Sequence, residues 1–393
     1  MRHQRLIAPL LPVAISLMVG IIIGRYISLE APITLTILFV LTVVMLCVFR
    51  FPRLQTILIL LTTMVIGCHL IQHPLPDVPR VKQAKQRMVE YRQQLLERYQ
   101  KDLSPEAYSI VAAMTLGDRT SLSSETRQAF NITGAGHILA ISGLHLGIIY
   151  MVISFLVRGR RWRVAAQILT ILLLWTFAFL VGMMASVVRA ATMLTIYGLL
   201  SLGYRRGMSV NVLAFTAILM LVAQPDALFE ISFQMSYLAV FAILLIFPML
   251  YHIIPAHWLM EHRFVGWMWG MTLLSLSAQI GVAPLIAFYF HRFSVYFLLA
   301  NFVVIPCAYL ILIGGLLLLL TSWSLIAKGL ILVVNGMQTV LSAIATLPYA
   351  SIEGLYPSLL QTILIYILIA SIFIQINLVF RSIYTNFARL NRQ

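Results

Sequence analysis

Two histidines and a serine, His137, Ser142 and His145, interrupt the apolar run from Gly134 to Gly147 and are the side chains best suited to chemistry. An ionisable group at membrane depth is costly unless protein or water surrounds it, so each is a functional candidate by default. On one helix the two histidines would lie about 80° apart, and Ser142 with His145 is an i, i+3 pair able to hydrogen-bond. Three readings are open for them: a buried histidine that fixes packing, the lining of a polar cavity, or a metal site. Gly143 and Gly147 form a GxxxG spacing with Ala140 on the same face, which would admit another backbone closely.

Arg189 lies a few residues into an apolar span, where arginine costs about 2.5–3.5 kcal/mol at the centre, so it needs a partner or water. Asp226 and Glu230 are candidate partners for an ion pair, and contact with a phosphate is the alternative. Neutral polar groups occupy three further spans: Gln234 with Ser232 and Ser236, Gln279 with Ser275 and Ser277, and Asn301. Such groups act either as interhelical glue worth roughly 0.6 kcal/mol each or as an aqueous lining. No phosphate-cradling Gly-Lys-Ser/Thr loop and no trusted metal-ligand spacing occurs, so neither a metal nor another cofactor is expected. Cys47, Cys68 and Cys307 lie far apart in apolar runs and suggest no disulfide framework.

The elements that must position these residues are set by composition. A chain of 393 residues that is 61% hydrophobic and 10% charged reads as an all-α polytopic membrane protein. Apolar runs predict about eleven or twelve transmembrane helices. Residues 1–73 read as a three-helix transmembrane segment, 74–136 as an external helical linker, and 137–393 as the main transmembrane domain. In the linker, the three-four spacing of Val81, Ala84, Met88, Tyr91, Leu95 and Tyr99 predicts an interfacial amphipathic helix. Its basic side, Arg80, Lys82, Lys85, Arg87 and Arg92, would meet DNA or lipid headgroups. Ser104, Pro105 and Gly117 bracket a second helix over 105–116, and Ser123 or Ser124 starts a third.

Lys and Arg collect in short loops such as Arg50 to Arg53, Arg158 to Arg163 and Arg205–Arg206, with Arg263 and Lys328 on the same side. Arg25 and Arg292 alone occupy the opposite short loops. That bias predicts a cytoplasmic N-terminus with 74–136 outside. The run 295–320 is the element on which this depends, because Asn301 and Pro306 could split it, and a re-entrant turn would reverse every later span.

The stretch Gly134 to His145 resembles the signature of the ComEC-type competence family, the inner-membrane DNA channels of natural transformation. Four further patches resemble it in order: Gly182 with Ser186, Arg189, Ala190 and Met193; Pro225–Asp226 leading to Ser232, Gln234 and Ser236; Ser277, Gln279 and Pro284; and Ala300–Asn301 with Pro306. The resemblance implies a channel for single-stranded DNA in the bacterial inner membrane, not an enzyme, with His137, Ser142, Gly143, His145, Gly147, Arg189, Asp226, Gln234, Gln279 and Asn301 as its lining and signature residues. Family members commonly add an OB-fold domain and a metallo-β-lactamase-like nuclease domain. Neither is expected here, so the expected partners are membrane lipids and a separate DNA receptor, nuclease and cytoplasmic ATP-driven motor; a homo-oligomer is compatible with this reading. The rival readings are a secondary transporter of a small anionic or lipid-linked substrate with broken helices near Pro225 and Pro306, an intramembrane enzyme using His137 and His145, and a remnant without transport activity.

Overall fold

The computed structural model describes residues 8–390 except 49, 75–78, 157–162 and 203–209; the side chains of 79–85, 156 and 379–390 are also outside the described residues. The described chain forms sixteen α-helices and one two-stranded ribbon. Eight helices are long and apolar enough to cross a membrane, and four shorter apolar helices accompany them. The protein is therefore a multi-pass helical membrane protein, as its composition predicts.

α1 (Leu10–Tyr26), α2 (Ala31–Cys47) and α3 (Pro52–Gln72) form the N-terminal group. Gly20 and Gly24 of α1 meet the backbone of α3 at Met64 and Cys68, and Gly67 of α3 meets Leu17. Small residues at these points let the two backbones touch, which is how apolar helices gain contact where lipid supplies no hydrophobic drive.

α4 (Pro79–Asp102) and α5 (Pro105–Leu116) form where the spacing places them. The Ser104 side chain caps α5 by accepting from the Ala107 N–H, and Gly117 ends it at φ 75°, a conformation suited to glycine. Their placement differs from a linker lying apart. Leu95, Leu96 and Tyr99 of α4 and nearly all of α5 are buried in the largest apolar core, against α14 (Phe297–Thr321) and α15 (Ser324–Ala345). α6 (Ser124–Ile132) contributes Phe130 to the same core.

α7 (Gly143–Leu156), α8 (Arg163–Leu180), α9 (Ala185–Leu202) and α10 (Val210–Ala223) come next; a 3₁₀ turn, Pro225–Phe229, then leads to α11 (Ile231–Tyr251). The short α12 (Ala256–Glu261), which the apolar pattern does not predict, precedes α13 (Arg263–Phe290). β1 (Arg292–Ser294) and β2 (Ser351–Glu353) pair antiparallel, with Phe293 opposite Ile352, and α16 (Leu359–Leu390) closes the chain.

α14 passes through Pro306 without breaking, yet its direction departs from the expected alternation. The end of α13 lies beside the start of α11, where Tyr289 Oη donates to Gln234 Oε1 at 2.9 Å. The first turns of α14 lie along the opposite half of α13. Asn301 Nδ2 donates to Ser275 Oγ at 3.2 Å, and the Trp267 and Phe302 rings are 6.2 Å apart. That position is about 22 Å back along α13 at 1.5 Å per residue. Farther on, Leu312 joins a core with Ile141, Phe177, Val181 and Val187, at the end where α8 gives way to α9. α14 thus runs with α13, not against it.

β1 carries the chain back along α13, and β2 returns it beside β1 after α15. The Leu355 N–H donates to His291 O at 3.1 Å and Tyr366 Oη to Gly281 O at 2.9 Å, so α16 runs antiparallel to α13. The two reversals cancel for α16. Only the α14–α15 pair is inverted, which places Lys328 at the end opposite to the one its charge suggests.

Candidate functional site

The residues from Thr133 to Ser142 are not helical, and α7 begins only at Gly143. This corrects the expectation of one continuous helix: Ala140 shares no helix face with Gly143 and Gly147, and the histidines do not sit on one helix. The physical cause is the glycine spacing. Gly134 takes φ 79°, and a Cβ there would come within 3.0 Å of Ser294; one on Gly136 would come within 2.4 Å of Asn131 Oδ1. The GxxxG pair likewise makes no close helix crossing, since a Cβ on Gly143 would meet only Ala190 at 3.6 Å and one on Gly147 would meet nothing.

His145 is completely buried at the first turn of α7. The Ser142 N–H donates to its Nδ1 at 3.2 Å, and the Ser142 hydroxyl lies at the same distance. A backbone amide can only donate, so Nδ1 accepts and the neutral ring carries its proton on Nε2. That Nε2 is buried with no hydrogen-bond partner among the described residues. His137 is exposed, with Nδ1 3.0 Å from Gly134 O, and lies within electrostatic reach of His145. Ser186 Oγ of α9 donates to Ile141 O at 2.8 Å, joining the loop to the helix that carries the arginine.

Arg189 is 1% exposed. Its Nη2 donates to Ser232 O at 2.8 Å, while Nε and Nη1 find no partner among the described residues. Glu230 and Tyr237 are its electrostatic neighbours. Asp226 is not: it is exposed and pairs at 2.9 Å with Arg25, which also lies over the Phe229 ring. The ion pair proposed from the sequence for Arg189 and Asp226 is replaced by a clasp between α1 and the 3₁₀ turn.

The neutral polar residues occupy separate seams. Gln234 bridges Leu228 O and Tyr289 Oη, which ties α11 to α13. Asn301 and Ser275 tie α14 to α13. Gln279 is half-buried one turn beyond Ser275. On α4, Arg87 is exposed and Arg92 half-buried with its guanidinium near Gly182; the side chains of Arg80, Lys82 and Lys85 lie outside the described residues. Among the described residues no group of three or more His, Cys, Asp or Glu is arranged to hold a metal ion. Tyr289 and Asn131 are site neighbours that the sequence does not single out, since neither has a spacing that marks it.

A buried arginine and a buried histidine, held where a glycine-shaped loop meets several membrane helices, define a polytopic protein with an internal polar site. Comparison with known proteins then places it. Residues 114–379 match the Competence protein family, and the chain belongs to that family. It is 32% identical over 227 residues to ComE operon protein 3 of Bacillus subtilis strain 168, covering 56% of this chain and 28% of that protein. It is also 32% identical over 234 residues to an uncharacterised protein of Aquifex aeolicus strain VF5, covering 58% and 52%. To YcaI, an uncharacterised protein of Escherichia coli K12, it is 26% identical over 275 residues, covering 63% and 35%. The chain thus spans between 28% and 52% of the length of two of these relatives, the first and second. No solved structure matches it. The family match begins at Met114, inside the buried helix α5.

Proposed function

We propose that this chain is the membrane channel through which single-stranded DNA crosses the bacterial inner membrane in natural transformation. The observation that carries the reading is membership of the Competence family over a region that contains every polar patch from His137 to Asn301. A polyanion in transit needs donors that tolerate every base sequence, and a cationic or N–H lining supplies them without reading bases. Arg189, with two donor nitrogens unengaged among the described residues, suits a phosphate. In this reading the N-terminus is cytoplasmic, and a DNA receptor, a nuclease and an ATP-driven motor act as separate partners.

The test is deletion of the gene, with DNA entry measured separately into the periplasm and into the cytoplasm. Periplasmic DNA should be retained and cytoplasmic DNA lost; unchanged cytoplasmic entry refutes the proposal. The small-solute transporter is the weaker reading, because α14 is unbroken at Pro306 and one of the two interrupted helices it relied upon is absent.

A further inference from the structure

We propose that two copies of this chain meet in the bilayer along the exposed face of α15, with the Asn335 carboxamides of the two copies hydrogen-bonded to each other at the centre of the contact. This goes beyond the DNA-channel reading and does not depend on it.

α15 has two unlike faces. Ala327, Leu330, Val334, Met337, Leu341 and Ile344 are buried in the core that α5 and α14 share. The opposite face is exposed, and along it Leu325, Lys328, Leu332, Asn335, Thr339 and Ser342 follow one another at intervals of three and four. That is the seven-residue repeat of helices that pair side by side, with leucine or threonine at one position of the repeat and a polar residue at the other. Leu325 and Leu332 are 73% and 75% exposed. Beside this stripe small residues recur every seven positions, Gly329, Gly336 and Ala343, and a Cβ on either glycine would meet nothing within 4 Å. A neighbouring backbone can therefore come close without displacing a side chain.

The polar members set this face apart from one that lipid covers. α15 has 22 residues, enough to cross the membrane, and Asn335 lies near its midpoint. The Asn335 side chain is exposed and has no hydrogen-bond partner among the described residues, and the same holds for Ser342. α2 shows the contrast. It is exposed on nearly every side, and its exposed hydroxyls on Thr36 and Thr42 each donate to a carbonyl of their own helix. An unpaired carboxamide in the middle of a span is costly in hydrocarbon, where no water can serve it.

Complementarity of charge fixes the occupant. A carboxamide carries a donor and an acceptor side by side, so the group that satisfies both at the same depth is a second carboxamide facing it, and a twofold pair of identical helices supplies one. A single asparagine within an otherwise apolar repeat also fixes the register of the pair. Lys328 lies one turn from the start of the helix, where its ammonium reaches interfacial water along its own stem and can splay away from its twin.

The test uses the full chain in its membrane, with Cys47, Cys68 and Cys307 replaced by alanine. Single variants Leu332→Cys and Thr339→Cys on the stripe, and Ile367→Cys on the exposed side of α16 as a control, are treated with a membrane-permeant bifunctional maleimide that joins thiols of two copies. Both stripe variants should form covalent dimers at least about tenfold faster than the control. Asn335→Leu leaves the core face untouched, so it should insert at wild-type yield, yet the dimer dissociation constant should rise by about tenfold as two interhelical hydrogen bonds are lost. Asn335→Gln keeps the carboxamide and should restore most of the association. Cross-linking no faster than the control overturns the proposal, as does dimerisation that Asn335→Leu leaves unchanged. Labelling of both stripe cysteines by a membrane-impermeant thiol reagent in protein that stays monomeric also overturns it, and would assign the stripe to a water-lined path.

Discussion

Replacing Arg189 with methionine separates the two things a buried arginine can do. The change removes one hydrogen bond from a charged donor, Nη2 to Ser232 O at 2.8 Å, worth about 1.5–3 kcal/mol. It also removes the cost of holding arginine in a membrane span, about 2.5–3.5 kcal/mol. These nearly cancel, because Nε and Nη1 have no partner to lose among the described residues. Arg189→Met should therefore insert at wild-type yield and melt within a few degrees of wild type in detergent. Transport should respond very differently. If the two free nitrogens engage phosphate at about 1.5–3 kcal/mol each, cytoplasmic DNA entry falls by about a hundredfold or more. Arg189→Lys keeps the charge but not the fork, and belongs between the two. The assay pairs transformation frequency with thermal unfolding of purified protein. Normal transformation by Arg189→Met refutes the phosphate role, and loss of the protein from the membrane shows that Arg189 serves the fold.

Other substitutions probe neighbouring inferences. Gly20→Ala puts a Cβ 1.9 Å from Met64 O, a backbone atom that cannot swing aside, so it should destabilise the α1–α3 pair by about 1–3 kcal/mol or more, read as a lower melting temperature. Asp226→Asn breaks an ion pair whose side chains are 54% and 59% exposed; it should cost under about 1 kcal/mol and leave DNA entry unchanged, and a transformation defect would return Asp226 to the site. Ser324→Cys, at the start of α15, should label from the same side of the membrane as Gly182→Cys, between α8 and α9. Labelling from the opposite side would restore simple alternation and refute the parallel course of α13 and α14.

Local signals were readable in the sequence wherever one residue type decides the local conformation. Ser104, Pro105 and Gly117 mark α5 to the residue, and the three-four spacing from Val81 to Tyr99 marks α4. The site was half legible: polarity in an apolar run singles out His145 and Arg189, and both prove buried. What failed was long-range. The apolar character of Ile138, Leu139 and Ile141 argues for a helix, but they are buried as a loop because Gly134 and Gly136 press against Ser294 and Asn131. The course of α14 was hidden for a related reason. Three-residue strands such as Arg292–Ser294 have too little pattern to announce that the chain doubles back, and short links between apolar runs ordinarily mean alternation. Likewise, nothing local in Asp226 says that its partner is Arg25, far away in sequence, and not Arg189.

The way polar groups are shared among these helices bears on what the wall of the site is made of. Gln234 with Tyr289 and Asn301 with Ser275 answer one another across seams, and such pairs hold helices together at roughly 0.6 kcal/mol each. Groups already engaged have little to give a moving substrate. Around the start of α7 the balance is reversed: Arg189 Nε and Nη1 and His145 Nε2 are buried donors with no acceptor among the described residues. A cation would be repelled there, and a neutral solute would leave most of these donors dry. An anion carrying acceptors and no donors is the class of ligand that would satisfy them. The side chains that look most like a pore lining in the sequence therefore serve chiefly as fasteners, and the unengaged buried donors gather instead on His145 at the start of α7 and on Arg189 of α9.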